Sequence, residues 1–263
     1  MTTVQDVLNY IETLAPRYMK MDWDNVGLLC GSRAQPVRKV LVALDPFEHV
    51  CQEAAAIGAD LIVTHHPLIF KPLPMVTDDA AITRGIMMLC REGISALNAH
   101  TNLDCASGGV NDVLAQTLGL EQVEVLNPSG VDEQGRPWGL LRRGTVDEKP
   151  LDAFLATVKE KLGTPMLRYA DGGKCVRKVA VGGGACAGAL FEVIQAGCDT
   201  FVTSDIKYND FWEAKEQGLN LIDAGHFYTE NPVCAALAEK IRWKFPELTV
   251  EISKNHADCM KFF

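Results

Sequence analysis

The 263-residue chain has no apolar run near the ~18 residues that a membrane-spanning helix requires. It also lacks a basic cluster. Lys and Arg (25) are outnumbered by Asp and Glu (34), the net charge is −9, and basic residues adjoin only in short groups such as Arg142-Arg143. Phosphate contacts need a concentrated basic patch, so a general surface for duplex nucleic acid is not expected. Its nine cysteines are an odd number with no C-x-x-C pair, which argues against a disulfide framework and a thiolate zinc site. Several sit in apolar stretches and read as reduced, small hydrophobes in a reducing compartment. A basic leader is missing too. Met1 to Asp6 carries acid and runs into Val4, Val7, Leu8, Ile11 and Leu14, the apolar stripe of a helix capped by Thr3 with Asp6 reaching back. The expected location is therefore the cytoplasm.

What the chain does have is ordinary globular composition, 48% hydrophobic and 22% charged, at a length that predicts two lobes. It also repeats itself. Arg38-Lys39-Val40-Leu41-Val42 returns as Arg177-Lys178-Val179-Ala180-Val181, and the same offset of 139 carries Glu53 onto Glu192, Gly58 onto Gly197, Asp60 onto Asp199 and Thr64 onto Thr203. Ala96-Leu97-Asn98-Ala99-His100 likewise resembles Leu221-Ile222-Asp223-Ala224-Gly225-His226. Each copy reads as strand, helix, Gly turn, strand. The expectation is an α/β fold of two similar lobes made by internal duplication, with mostly parallel sheets flanked by helices and a metal site in the cleft between them. The first lobe is placed at residues 1–126 and the second at 127–263, because Asn127 to Gly139 is rich in Pro, Gly and Asp.

The chemistry collects at predicted strand ends. Asp45 follows Val40–Leu44, His65 and His66 follow the apolar run Leu61–Thr64, and His100 and Asp104 follow Ile94–Ala99. In the second copy His226 and Glu230 follow Asn220–Ala224, and Asp205 follows Thr200–Thr203. Open sheets bind ligands at their carboxyl edges. Adjacent residues on a strand face opposite ways, so His65 and His66 would approach one site from two sides and hold different ions. The bland alternative is a pair of half-buried histidines bonded to backbone. A set of His, Asp and Glu suits Zn, Mn, Fe or Ni. Asp45 reads first as a turn former before Pro46, with an active-site role as the alternative. The loop Gly182-Gly183-Gly184-Ala185-Cys186-Ala187-Gly188 could cradle an anion, but it lacks the Lys-Ser/Thr of a P-loop, and close packing explains its glycines equally well.

Several of these stretches together resemble the NIF-three-like proteins, often labelled GTP cyclohydrolase 1 type 2 homologs. The likeness rests on Trp23-Asp24-Asn25-Val26-Gly27-Leu28, Thr64-His65-His66-Pro67-Leu68-Ile69-Phe70, Asn98-Ala99-His100-Thr101-Asn102-Leu103-Asp104, Gly108-Gly109-Val110-Asn111-Asp112 and Gly225-His226-Phe227-Tyr228-Thr229-Glu230. The resemblance implies two divalent metal ions per chain, held by His65, His66, Asp104, His226 and Glu230, and a toroidal homohexamer. His100 and Asp45 are expected to orient a ligand or touch substrate. Where family members often carry Gly and His, this chain has Ser204 and Asn209, which leaves the Asp205–Asn209 loop without an assigned role. The function expected is a metal-dependent hydrolase acting on a small, nucleotide-like molecule, with no membrane partner. The alternative is a metal-binding oligomeric scaffold or regulator that acts through partners.

Overall fold

The computed structural model describes residues 1–262. The first elements in chain order are α1 (Val4–Leu14), β1 (Gly27–Cys30), β2 (Lys39–Ala43), α2 (Glu48–Ile57), β3 (Leu61–Thr64), α3 (Ala81–Glu92), β4 (Ser95–Asn98) and α4 (Thr101–Cys105). Next come α5 (Val110–Thr117), β5 (Glu121–Leu126), β6 (Gly130–Val131), β7 (Pro137–Trp138), β8 (Leu141–Lys149), α6 (Leu151–Leu162), β9 (Arg168–Ala170) and β10 (Val176–Val181). The chain ends with α7 (Leu190–Gln195), β11 (Thr200–Thr203), α8 (Tyr208–Glu216), β12 (Asn220–Asp223), α9 (His226–Glu230), α10 (Pro232–Lys244) and β13 (Thr249–Ile252). The expected capping box at the start of α1 is present: Thr3 Oγ1 accepts from the Asp6 N–H, and the Asp6 carboxylate accepts from the Thr3 N–H at 2.8 Å. Among the described residues no helix is long and apolar enough to cross a membrane.

The chain forms two compact units, and their bounds differ from the division at 126/127 expected from composition. Of the described residues, one contains 1–103 and 234–257, the other 104–233 and 258–262. Residues 104–126 join the second unit because Leu114, Ala115, Leu118 and Leu120 pack with Phe154, Val158, Val179 and Ile222. Asn127 to Gly139 is a connection inside that unit, since it joins the antiparallel neighbours β5 and β8 and holds the β6/β7 hairpin. The last strand returns to the first unit by pairing Val250 with Val40.

The sheet of the first unit has the order β1-β4-β3-β2-β13, with only β1 antiparallel. Its central strand β3 is buried at all four positions, which fits the continuous apolar run Leu61-Ile62-Val63. Leu41 and Ile62 pack under Val50, Cys51 and Ala54 of α2 and Ile86 and Leu89 of α3. In the second unit the order is β5-β8-β10-β11-β12-β9, and three of its five pairings are antiparallel. The expectation of mostly parallel sheets therefore holds for the first unit alone. Only β10, β11 and β12 are parallel there, and they include the stretch that resembles β2 and β3 in sequence. Helices cover both faces: Val179 and Val181 meet α5 and α6, while Ala180 between them meets α7 and α8.

The two similar stretches of sequence make matching bonds, each within its own unit. Val40 is level with Leu61 in one ladder and Val179 with Thr200 in the other, both at the offset of 139. The Asp60 carboxylate accepts from the N–H groups of Arg38 and Lys39; that of Asp199 accepts from those of Arg177 and Lys178. Gly58 and Gly197 both take left-handed φ, 65° and 71°, at the same step.

Candidate metal centre

In the first unit three strand ends present three imidazoles. The end of β3 is pinned on both sides, by the Ala99 N–H donating to the Thr64 carbonyl at 3.1 Å and the His66 N–H donating to the Leu44 carbonyl at 2.9 Å. His65, His66 and His100 then converge, and ligand atoms from the three rings, one each, lie within 4.8 Å of one another. Each ring is held by its Nδ1. That of His65 lies 2.9 Å from the Ala99 carbonyl, that of His66 2.6 Å from Asp45, and that of His100 2.8 Å from Asp24. A carbonyl or carboxylate can only accept, so in each neutral imidazole Nδ1 carries the proton and Nε2 keeps its lone pair for a ligand.

Asp24 is the member of this set that sequence reasoning missed as a functional residue. It is buried beside His100 and also accepts from the N–H and hydroxyl of Thr101. Burial alone would raise its carboxyl pKa, but the hydrogen bonds from His100 and Thr101 outweigh it and hold the group at about 2. The only signal in the chain was its place in the Trp23-Asp24-Asn25 stretch. Because the folded value lies below the ordinary ~3.9 of an unfolded Asp, the stabilisation is fully present above about pH 4 and lost as pH falls toward about 2. Wild type should therefore exceed Asp24→Asn by up to about 2 kcal/mol in urea unfolding near pH 5, with the gap shrinking as the acid limb is entered. A gap independent of pH over that range would contradict this.

In the second unit Asp104, on α4, and Glu230, at the end of α9, are buried at 6% and 4% exposure. Helical spacing of i and i+4 puts His226 above Glu230, with Nε2 3.1 Å from Oε2. The His226 Nδ1 lies 2.7 Å from Asp205, so its Nε2 lone pair faces a carboxylate oxygen, and a proton or cation has to share that space. Asp205 takes a left-handed φ of 54°, a conformation that costs a non-Gly residue of order 1 kcal/mol and aims its carboxylate at the ring. This gives the Asp205–Asn209 loop a role through Asp205. Ser204 instead bonds the Gly184 carbonyl at 2.7 Å, and Asn209 is exposed on α8.

The glycine loop is a wall of this site. The N–H groups of Gly182, Gly183 and Gly184 are taken by the Val202 carbonyl, Asn111 Oδ1 and Thr229 Oγ1, so they form no anion cradle. A Cβ on Gly184 would stand 2.1 Å from Glu230 Oε1 and 3.0 Å from His226 Nε2, at a φ of 62°. Cys105 and Cys186 are inert neighbours: burial pushes the Cys105 thiol up to about 12, and burial together with Asp104 and Glu230 raises that of Cys186 well above its usual value.

A family model described as Duf34/NIF3 (NGG1p interacting factor 3) matches residues 2–258. The chain belongs to the Duf34/NIF3 family. A relative from Clostridium perfringens named "GTP cyclohydrolase 1 type 2 homolog" is 36% identical over 264 residues, covering 98% of this chain and 99% of its own. Among solved structures, a Bacillus cereus protein related to NIF3 superposes with a TM-score of 0.93 at 26% identity, over 100% of this chain and 99% of that one. A Staphylococcus aureus hypothetical protein matches with a TM-score of 0.91 at 28% identity, over 99% of both chains. The resemblance drawn from the motifs thus extends through the whole chain of this Duf34/NIF3 protein.

Proposed function

We propose that this Duf34/NIF3 protein holds two divalent metal ions through His65, His66, Asp104, His226 and Glu230 and hydrolyses a small molecule. The observation that carries the reading is the treatment of the histidines. All four imidazoles at these strand ends, His65, His66, His100 and His226, have Nδ1 engaged by a carbonyl or carboxylate. Ligating histidines need that support, which fixes tautomer and ring angle and raises basicity at Nε2. The donor set of imidazole and carboxylate fits Zn, Mn, Fe or Ni. Asp45, Asp24 and Asp205 are the orienting groups, and His100 is a further ligand or a substrate contact. Bound ions supply Lewis acidity toward a water nucleophile and a substrate oxygen.

The matched ladders and the paired Asp60 and Asp199 bonds support an origin by internal duplication. The name of the Clostridium perfringens relative points to a nucleotide-like substrate. A non-catalytic oligomeric scaffold is the competing reading, and both predict bound metal. Protein reconstituted with each of the four metals and screened against nucleotides, phosphoesters and cyclic amides separates them. Turnover that disappears with chelator and returns with metal is the expected result. Chelation that alters only assembly would favour the scaffold. For the toroidal hexamer, light scattering is the test, and a monomer mass would remove it.

A further inference from the structure

Strand β1 is an edge strand, and its ladder with β4 is irregular: Leu28 is level with Leu97, but Cys30 is level with Ala96. Two steps on β1 thus match one on β4, the signature of a β-bulge. Regular alternation would send Leu29 and Cys30 to opposite faces. With the bulge, both pack against the cluster that contains Ile86 and Leu89 of α3. Cys90 follows in the last turn of α3, exposed, and its Sγ is 3.7 Å from that of Cys30.

We propose that Cys30 and Cys90 form a thiol-oxidation site that takes a low-molecular-weight disulfide, such as oxidised glutathione, and is converted to an intramolecular disulfide. The sulfurs are in contact and must close by about 1.6 Å to reach a bond of ~2.05 Å. Strand β1 has one neighbour in its sheet, so it can yield by that amount more easily than an inner strand. Accessibility sets the order of events. The Cys90 thiolate attacks one sulfur of oxidised glutathione, forming a mixed disulfide and expelling one glutathione thiolate. Cys30 then gives its proton to solvent and attacks the Cys90 sulfur, the mixed S–S bond breaks, and the second glutathione leaves. Two protein thiols are oxidised and one glutathione disulfide is reduced to two thiols. Burial and the adjacent Cys90 push the Cys30 thiol up to about 12, so ring closure is the slow step and speeds up with rising pH. An unstabilised thiolate is a poor leaving group, which makes the finished bond resistant to reduction.

The test uses the full-length protein, reduced, freed of reductant and incubated with oxidised glutathione, followed by alkylation of remaining thiols and mass spectrometry. The expected product has lost two hydrogens, carries alkyl groups on the other seven of its nine cysteines, and yields a non-reduced peptide pair joining Cys30 to Cys90. Its melting temperature should rise by several degrees, because the bond closes a loop of about 60 residues in the unfolded chain. Cys90→Ser, an exposed substitution checked for native circular dichroism, should keep Cys30 alkylatable and show no rise. A stable glutathione adduct on Cys90 with Cys30 still free would overturn the proposal, as would cross-links that join Cys175 or Cys259 while Cys30 and Cys90 stay reduced.

Discussion

Replacing His65 and Glu230 together by Ala is expected to abolish stoichiometric binding of divalent metal, measured by elemental analysis of chelator-free protein reconstituted with Zn, Mn, Fe or Ni. Each substitution removes one buried donor of the proposed ligand set. His65 is 1% exposed and its ring is fixed by the Ala99 carbonyl, so truncation to Ala removes a donor held in place by the backbone and leaves a cavity behind it. Glu230 is 4% exposed against Gly184. Losing an orienting partner typically costs 10–100-fold in metal affinity, and losing two direct ligands should cost considerably more. Asp45→Ala supplies the graded comparison, with His66 retained but its ring released, and should fall within that 10–100-fold range by titration calorimetry. Full metal occupancy in the double variant would remove the proposed ligand set. Because His65 is buried, folding is checked by circular dichroism first.

The largest effect on stability is expected from Arg142→Leu, at about 3–5 kcal/mol in urea unfolding. Arg142 lies on β8 with 1% of its surface exposed. Its guanidinium pairs with Asp112 and donates to the carbonyls of Gly139 at 2.7 Å, Ala106 at 3.0 Å and Cys105 at 3.2 Å. Leucine would fill part of the volume but leave the half-buried Asp112 carboxylate and four carbonyls, that of Leu141 among them, without the guanidinium's donors. Cys105 is the last residue of α4, the helix that carries Asp104, so the same fork closes the end of the element bearing a proposed ligand. Metal affinity should fall along with stability. Arg142→Lys keeps the charge but not the five-donor fork and should recover only part of both. A change below about 1 kcal/mol for Arg142→Leu would show that the network contributes little.

Local pattern carried much of this protein. The capping box of Thr3 and Asp6 spans four residues, as does the β3 run, and His226 with Glu230 is one helical turn; each is set by neighbours in sequence, so each is legible there. The strand ends that carry His65, His66, His100 and His226 were legible for the same reason, as was the offset of 139 between copies. Partners distant in sequence were not. His100 is oriented by Asp24, 76 residues away, and His226 by Asp205, 21 residues away, through bonds that exist only once strands are in register.

The sequence by itself determined the strand ends and the donor types, because these rest on periodicity and spacing within a few residues, and the motifs along the whole chain carried the family resemblance. Only the tertiary structure decided which strands pair antiparallel in the second sheet and where the compact units divide, because hydrophobic alternation does not say which edge a strand joins. It also separated Arg142 from Arg143, a pair that reads as one short basic group along the chain. One lies in the interior with its guanidinium bonded to Asp112 and to backbone carbonyls, and the other reaches Glu124 at the surface, since adjacent side chains on a strand face opposite ways and only the packing of β8 says which way is in.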